Sequence, residues 1–159
     1  MFLFKPRFGI LTNSSQSDGN EHTEHLKPSQ VNDVYWLFAK RETGTYPQHT
    51  EFGGKWLIFV SIDQIDEVWE KIKNATISGV LGGQSKVATD KPNPNARDSK
   101  QKVICVYTYD WKDTNDVMRV RNSLREIGIS WKIPYKADKE TRSGVYANRK
   151  HTRISKYYE

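Results

Sequence analysis

Gly53-Gly54-Lys55-Trp56 runs directly into Leu57-Ile58-Phe59-Val60, and the reading of this stretch decides the fold. Two glycines permit a backbone bend that residues with a Cβ resist. The apolar run behind them is short and rich in β-branched and aromatic residues, which predicts a strand over 55–60 with both faces largely covered. Lys55 and Trp56 then stand side by side at the lip of a buried sheet. A cation beside an indole suits an anionic or aromatic ligand. It equally suits a core tryptophan next to a solvated lysine.

Downstream, Ser61-Ile62-Asp63-Gln64 fits a capping box. The helix it opens carries Ile62, Ile65, Val68, Trp69 and Ile72 on one stripe, with Asp66, Glu67, Glu70 and Lys71 outside it. Trp69 reads as core. Gly79, Gly82 and Gly83 lead into a short strand at 86–89, and the link 91–97 is rich in proline and asparagine. That link cannot be a central strand, because proline lacks the donor. Residues 103–109 form the strongest strand, antiparallel to the one before the link. Asp113 or Thr114 caps a helix bearing Val117, Val120, Leu124 and Ile127, and Gly128 ends it in the left-handed position. A last strand covers 131–137. Upstream, 12–28 is polar and aperiodic and reads as a loop. Ser29 is read as the cap of a helix with Val31, Val34, Tyr35, Leu37 and Phe38, stopped by Gly44. The expected organisation is an N-terminal segment and polar loop at 1–28, then one α+β domain at 29–159. That domain is a curved, mainly antiparallel sheet with about three helices on one face. The other face is open to a ligand.

The chain has 159 residues and a formal net charge of +6, with five Trp, eight Tyr and six Phe to build a core. Cys105 is the lone cysteine; inside Val103-Ile104-Cys105-Val106 it reads as a small buried hydrophobe rather than a nucleophile. Lys5, Pro6 and Arg7 interrupt residues 1–11, so neither a signal peptide nor a membrane span is expected. A cytoplasmic location is the expectation. Residues 131–159 hold eight Lys/Arg against three Asp/Glu, a balance of +5. They read either as a solvated tail or as an anion-binding rim. Cys/His clusters of metal-ligand spacing are absent, and Gly82-Gly83-Gln84-Ser85-Lys86 lacks the spacing of a phosphate loop. No cofactor is expected.

The order of elements and several short words resemble the eukaryotic mRNA cap-binding translation initiation factor family. Gly53-Gly54-Lys55-Trp56-Leu57-Ile58 is similar to that family's Gly-Gly-Arg-Trp-Leu-Ile strand. Residues 102–108 are similar to its Lys-Ile-Ala-Ile-Trp-Thr strand, and Val34-Tyr35-Trp36 falls where it has a helix with a partner-binding tryptophan. Tyr135 to Asp138, continuing to Arg142-Ser143-Gly144, resembles its final loop near the cap phosphates. A closer likeness is to the Bles-type family of unknown function, which shares that fold. Residues 55–60, 86–89 with Pro92-Asn93-Pro94-Asn95, and 103–110 look like its hallmarks. Some members carry a phosphothreonine lyase label.

The resemblance implies that Lys55, Lys86 and Lys102 face phosphate. The cap-binding family holds its base between two loop tryptophans, whereas Tyr46, His49 and Phe52 are the rings available here between Phe38 and Gly53. The leading expectation is a binding module for a phosphorylated small molecule, a nucleotide or an RNA end, on the open sheet face. Its ligand-binding residues are Lys55, Lys86, Lys102, Lys136, Arg142, Ser143 and Tyr109. Thr141-Arg142-Ser143-Gly144 could cradle an anion or be an ordinary surface loop. Tyr107 and Tyr109 share a face with Cys105; they stack on a base if that face is open, and Tyr107 is otherwise core. An alternative is a phosphothreonine lyase-like enzyme, with Lys86 or Lys136 as base, Lys55, Lys102 and Arg142 as phosphate clamps, and an acid left between His49 and His151, since His22 and His25 lie in the polar loop. Another is a protein-interaction domain acting through Trp36. Enzyme and binder stay open at this point.

Overall fold

The computed structural model describes residues 25–142 and 155–159. Six strands form one curved antiparallel sheet in the order β1-β3-β4-β2-β5-β6. They are β1 (Trp36–Lys40), β2 (Gly54–Ser61), β3 (Gln84–Ala88), β4 (Gln101–Thr108), β5 (Pro134–Ala137) and β6 (Tyr157–Tyr158). Three α-helices accompany them: α1 (Ile65–Ile77), α2 (Thr114–Glu126) and the short α3 (Asp138–Arg142). None of the described helices is long and apolar enough to cross a membrane.

Strand alternation divides the sheet into two faces. Trp56, Ile58 and Val60 of β2 pair with Val106, Ile104 and Lys102 of β4. Apart from Lys102, these are buried residues that pack with Trp69 and Ile72 of α1 and Val117, Val120 and Leu124 of α2. Trp56 is wholly buried, and its indole N–H donates to the Val117 carbonyl at 3.2 Å. Trp56 and Trp69 are core, as expected. The opposite parity places Lys55, Leu57 and Phe59 across from Tyr107, Cys105 and Val103 on the open face.

The strands read at 55–60, 86–89 and 103–109 are present, and the proline-rich link joins the antiparallel neighbours β3 and β4. Asp113 caps α2 by accepting from the Asp116 N–H at 3.1 Å, and Gly128 has φ +108°.

Three expectations need correction. Residues 31–38 form no helix: a 3-10 turn at Pro28–Gln30 precedes β1, which pairs with β3 from Trp36↔Ala88 to Lys40↔Gln84. Apolar residues at 34, 35, 37 and 38 satisfy a helical stripe, but over so few residues Leu37 and Ala39 also satisfy strand alternation. A helix presenting Trp36 to a partner is therefore absent. Ser61 does not cap α1, since it ends β2 and its carbonyl accepts from Gln64 at 3.0 Å, so the helix starts at Ile65. Finally, the turn that closes with the Gly53 N–H on the Thr50 carbonyl at 3.1 Å needs no left-handed glycine, since neither Gly53 nor Gly54 has positive φ. A Cβ on Gly53 would lie 1.8 Å from His49 Nε2, and one on Gly54 would lie 2.5 Å from the Tyr135 hydroxyl. Both are glycine because a side chain needs the space.

Candidate phosphate-binding face

The open face gathers three lysines, from β3, β2 and β5. Lys86 of β3 lies opposite Cys105 of β4, Lys55 of β2 lies opposite Tyr107, and Lys136 of β5 lies opposite Lys55. Tyr107 is therefore on the open face rather than in the helix-side core. Lys55 Nζ stands 5.4 Å from the centre of its ring, and Lys86 Nζ stands 6.0 Å from it. Lys86 sits closer still to Trp36, 3.9 Å above the ring centre. The negative π-faces attract these cations, and for Lys86 they do so without neutralising its charge. Among the described residues, Lys86 forms no ion pair.

Lys55 is bound differently. Its ammonium donates to Asp138 Oδ1 at 2.7 Å, while His49 Nε2 lies 2.7 Å from Asp138 Oδ2. Asp138 is placed by the start of α3, where its N–H donates to the Gly53 carbonyl at 2.9 Å. Burial opposes ionisation of this carboxyl, but the hydrogen bonds from Lys55 and His49, reinforced by their charges, hold its pKa below the usual carboxylate value. Lys136 is shifted down as well, first by burial and then by repulsion from Lys55, with Glu140 opposing. Beneath this layer Cys105 is buried, and burial pushes its thiol up to about 11. It is an unreactive core thiol.

The remaining expected site residues lie elsewhere. Lys102 pairs with Val60, which gives it the helix-side parity, although it also lines the end of the groove described below. Tyr109 follows the end of β4, and its hydroxyl donates to Asp113, the cap of α2. That bond pushes the phenol up to about 12. Its ring meets Tyr46 edge-on at 5.7 Å. Tyr109 is thus engaged with the start of α2 rather than with the lysines. Arg142 ends α3, and Ser143 lies outside the described residues, as do His22 and His151. Sequence reasoning missed Asp138 and the Trp36–Lys86 stack. Asp138 is 83 residues from Lys55, a separation that no local pattern reports.

Two depressions flank the lysines. One, of about 420 Å3, is lined by Tyr46, Pro47, His49, Gly83, Gln84, Tyr107 and Thr108. The other is a groove of about 780 Å3 that runs from Trp36 and Lys136 over Leu57 and Phe59 to the β3–β4 link.

The family model described as "Basophilic leukemia-expressed protein Bles03" matches residues 48–142, more than half of the 159 residues. Solved structures with a similar fold include schistosome eIF4E complexed with m7GpppA and 4E-BP. It has a TM-score of 0.52 at 16% identity, over 69% of this chain and 60% of that one. C. elegans eIF4E-3 with the 4E-binding protein Mextli and a cap analogue has a TM-score of 0.54 at 16% identity, covering 76% and 72%. Ascaris suum eIF4E-3 with an m2,2,7G cap has a TM-score of 0.50 at 17% identity, covering 77% and 68%. The match to the schistosome protein spans about 60% of that protein's length. At these identities the likeness is one of fold.

Proposed function

The chain belongs to the Bles03 family, and from that premise we propose that it is a binding module for a phosphorylated ligand, a nucleotide or an RNA end, on the open face of its sheet. The observation that carries this reading is Lys86. Its ammonium rests on Trp36 near Tyr107 and makes no ion pair among the described residues. A phosphate oxygen supplies the anion that such a cation lacks. Lys136 adds a second positive charge three strands away, with β4 and β2 between. Lys55 contributes field rather than a clamp, since Asp138 already accepts from it. Further support comes from the fold, which in the schistosome and nematode proteins is complexed with cap nucleotides or their analogues.

Calorimetric titration with GTP and with inorganic phosphate tests the reading. Wild type binds, while a Lys86→Ala/Lys136→Ala variant keeps its melting temperature and loses at least tenfold in affinity. Equal binding by the two proteins rejects it. Lys55→Ala is unsuited to this purpose, because it strands a largely buried carboxylate.

A second reading, acid–base chemistry on the bound phosphoester, is favoured by His49. Its Nε2 is oriented by Asp138 at 2.7 Å, as a proton-transfer histidine requires. In a phosphothreonine lyase, a base such as Lys86 or Lys136 would take the α-proton. The Cβ–O bond would break, and phosphate would leave with a proton supplied by His49. Mass spectrometry of a phosphothreonine peptide would then show a dehydrated residue that His49→Ala fails to produce. Unchanged peptide dismisses the enzyme.

A further inference from the structure

The groove of about 780 Å3 on the open face is not explained by the lysine cluster. Its floor is apolar, formed by Trp36, Leu57, Phe59 and Val103. Phe59 lies across from Val103 and remains 49% exposed, a bare aromatic on a sheet face already rich in rings. The rim is mainly cationic: Lys91 and Arg97 on the β3–β4 link side and Lys136 on the β5 side, with Asp98 as the acid among the lining residues. Lys91 Nζ lies 4.3 Å above the ring of Tyr35, which is also half exposed. Trp36 belongs to both features, since it lines the groove and carries Lys86 on its ring. The groove begins where the lysine cluster ends.

We propose that this groove takes single-stranded nucleic acid, namely the nucleotides that follow a terminal phosphate seated at Lys86. The inference rests on the phosphate-binding reading above and extends it from a small ligand to a chain. Successive bases need flat apolar faces, and the backbone that joins them needs cations alongside, which is the combination of floor and rim found here. An apolar peptide would leave the rim unanswered, and an acidic peptide would leave the exposed rings without a partner. From Trp36 of β1 to Lys136 of β5 the groove crosses five strands, which span about 19 Å at roughly 4.8 Å per strand spacing. That accommodates about four nucleotides, the small end of known single-strand platforms.

The test compares GMP, a 5′-phosphorylated tetranucleotide as RNA and as DNA, and a polyglutamate peptide, by calorimetry and tryptophan fluorescence. The tetranucleotide is expected to bind at least tenfold more tightly than GMP. Phe59→Ala removes an exposed side chain, so the protein stays folded. The variant should lose roughly 5- to 150-fold in affinity for the tetranucleotide, the range for one lost base–aromatic stack, and bind GMP as before. Arg97→Ala should weaken the tetranucleotide alone and flatten its salt dependence. Persistent GMP binding with no gain from added nucleotides, or no effect of Phe59→Ala, overturns the groove assignment and leaves the phosphate reading standing. Tighter binding of polyglutamate than of the tetranucleotide also overturns it. Failure of GMP and the tetranucleotide alike overturns both.

Discussion

Gly53 and Gly54 are neighbours in sequence, yet each is glycine for a different side chain. A Cβ on Gly54 meets the Tyr135 ring at 2.5–2.7 Å, in a part of the core where Tyr135 also packs against Trp56 at 5.2 Å and bonds Thr108 at 2.6 Å. That ring has nowhere to go. Gly54→Ala should cost about 1–3 kcal/mol, the usual penalty of overpacking. At Gly53 the obstacle is the His49 imidazole, the end of a side chain 45% exposed and free to swing away. Gly53→Ala should cost less than about 1 kcal/mol but release His49 from Asp138. Thermal denaturation ranks the two variants, and imidazole NMR shifts report the release. Asp138 carries a second prediction. Its folded pKa lies below the unfolded value, so its contribution to stability is present above about pH 4 and is lost as pH falls through the folded pKa. Asp138→Asn should therefore be less stable than wild type at pH 7, with the gap closing as the solution is acidified. A gap of constant size would show that the carboxylate's charge is not what holds the clasp.

At the scale of elements, α2 is anchored by a charge in the core. Arg121 is fully buried and donates to the carbonyls of Ile129 at 2.8 Å, Trp131 at 2.7 Å and Glu159 at 3.2 Å. It therefore ties α2 both to the connection before β5 and to the residue that follows β6. Burial lowers its pKa, aided by Arg125 and opposed by Glu159, and the three carbonyls compensate the desolvated guanidinium. Arg121→Ala should cost about 3 kcal/mol or more in urea denaturation, since it leaves carbonyls unsatisfied and opens a cavity. Arg121→Lys should recover little, because one ammonium cannot reproduce the planar fork. Arg121 gives no warning in the sequence: it sits beside Val120 on α2 and looks like any charged helix residue. The elements that were legible are those whose signals are local. α2 shows its Asp113 cap and its left-handed Gly128, and β2 and β4 are long runs rich in β-branched and aromatic residues. β1 is not legible, because a five-residue edge strand is too short to separate a period of two from one of 3.6. The site was half legible on the same grounds. Lys55, Lys86 and Lys136 could be assigned to strands, whereas Asp138, the partner that changes what Lys55 can do, is brought in only by tertiary pairing.

Across the whole molecule, the net charge of +6 matters less than which face carries it. α1 is close to self-neutralised, as Lys71 pairs with Glu67 at 3.1 Å on its outer side and the buried Lys73 pairs with Glu70 at 2.8 Å. On the open face Lys86 has only rings for company among the described residues. A polyanion should therefore feel an attractive field from one side of the sheet. Counterion release turns this into a measurable quantity, because each neutralised phosphate contributes about −0.7 to the slope of log affinity against log salt for a single strand. Lys86→Ala/Lys136→Ala should lower the magnitude of that slope by about 1.4 for a 5′-phosphorylated oligonucleotide. Lys71→Ala removes the same kind of charge from the helix side and should leave the slope where it was. If both variants flatten the slope alike, the protein attracts anions through its overall charge alone, and the open face has no special claim on phosphate.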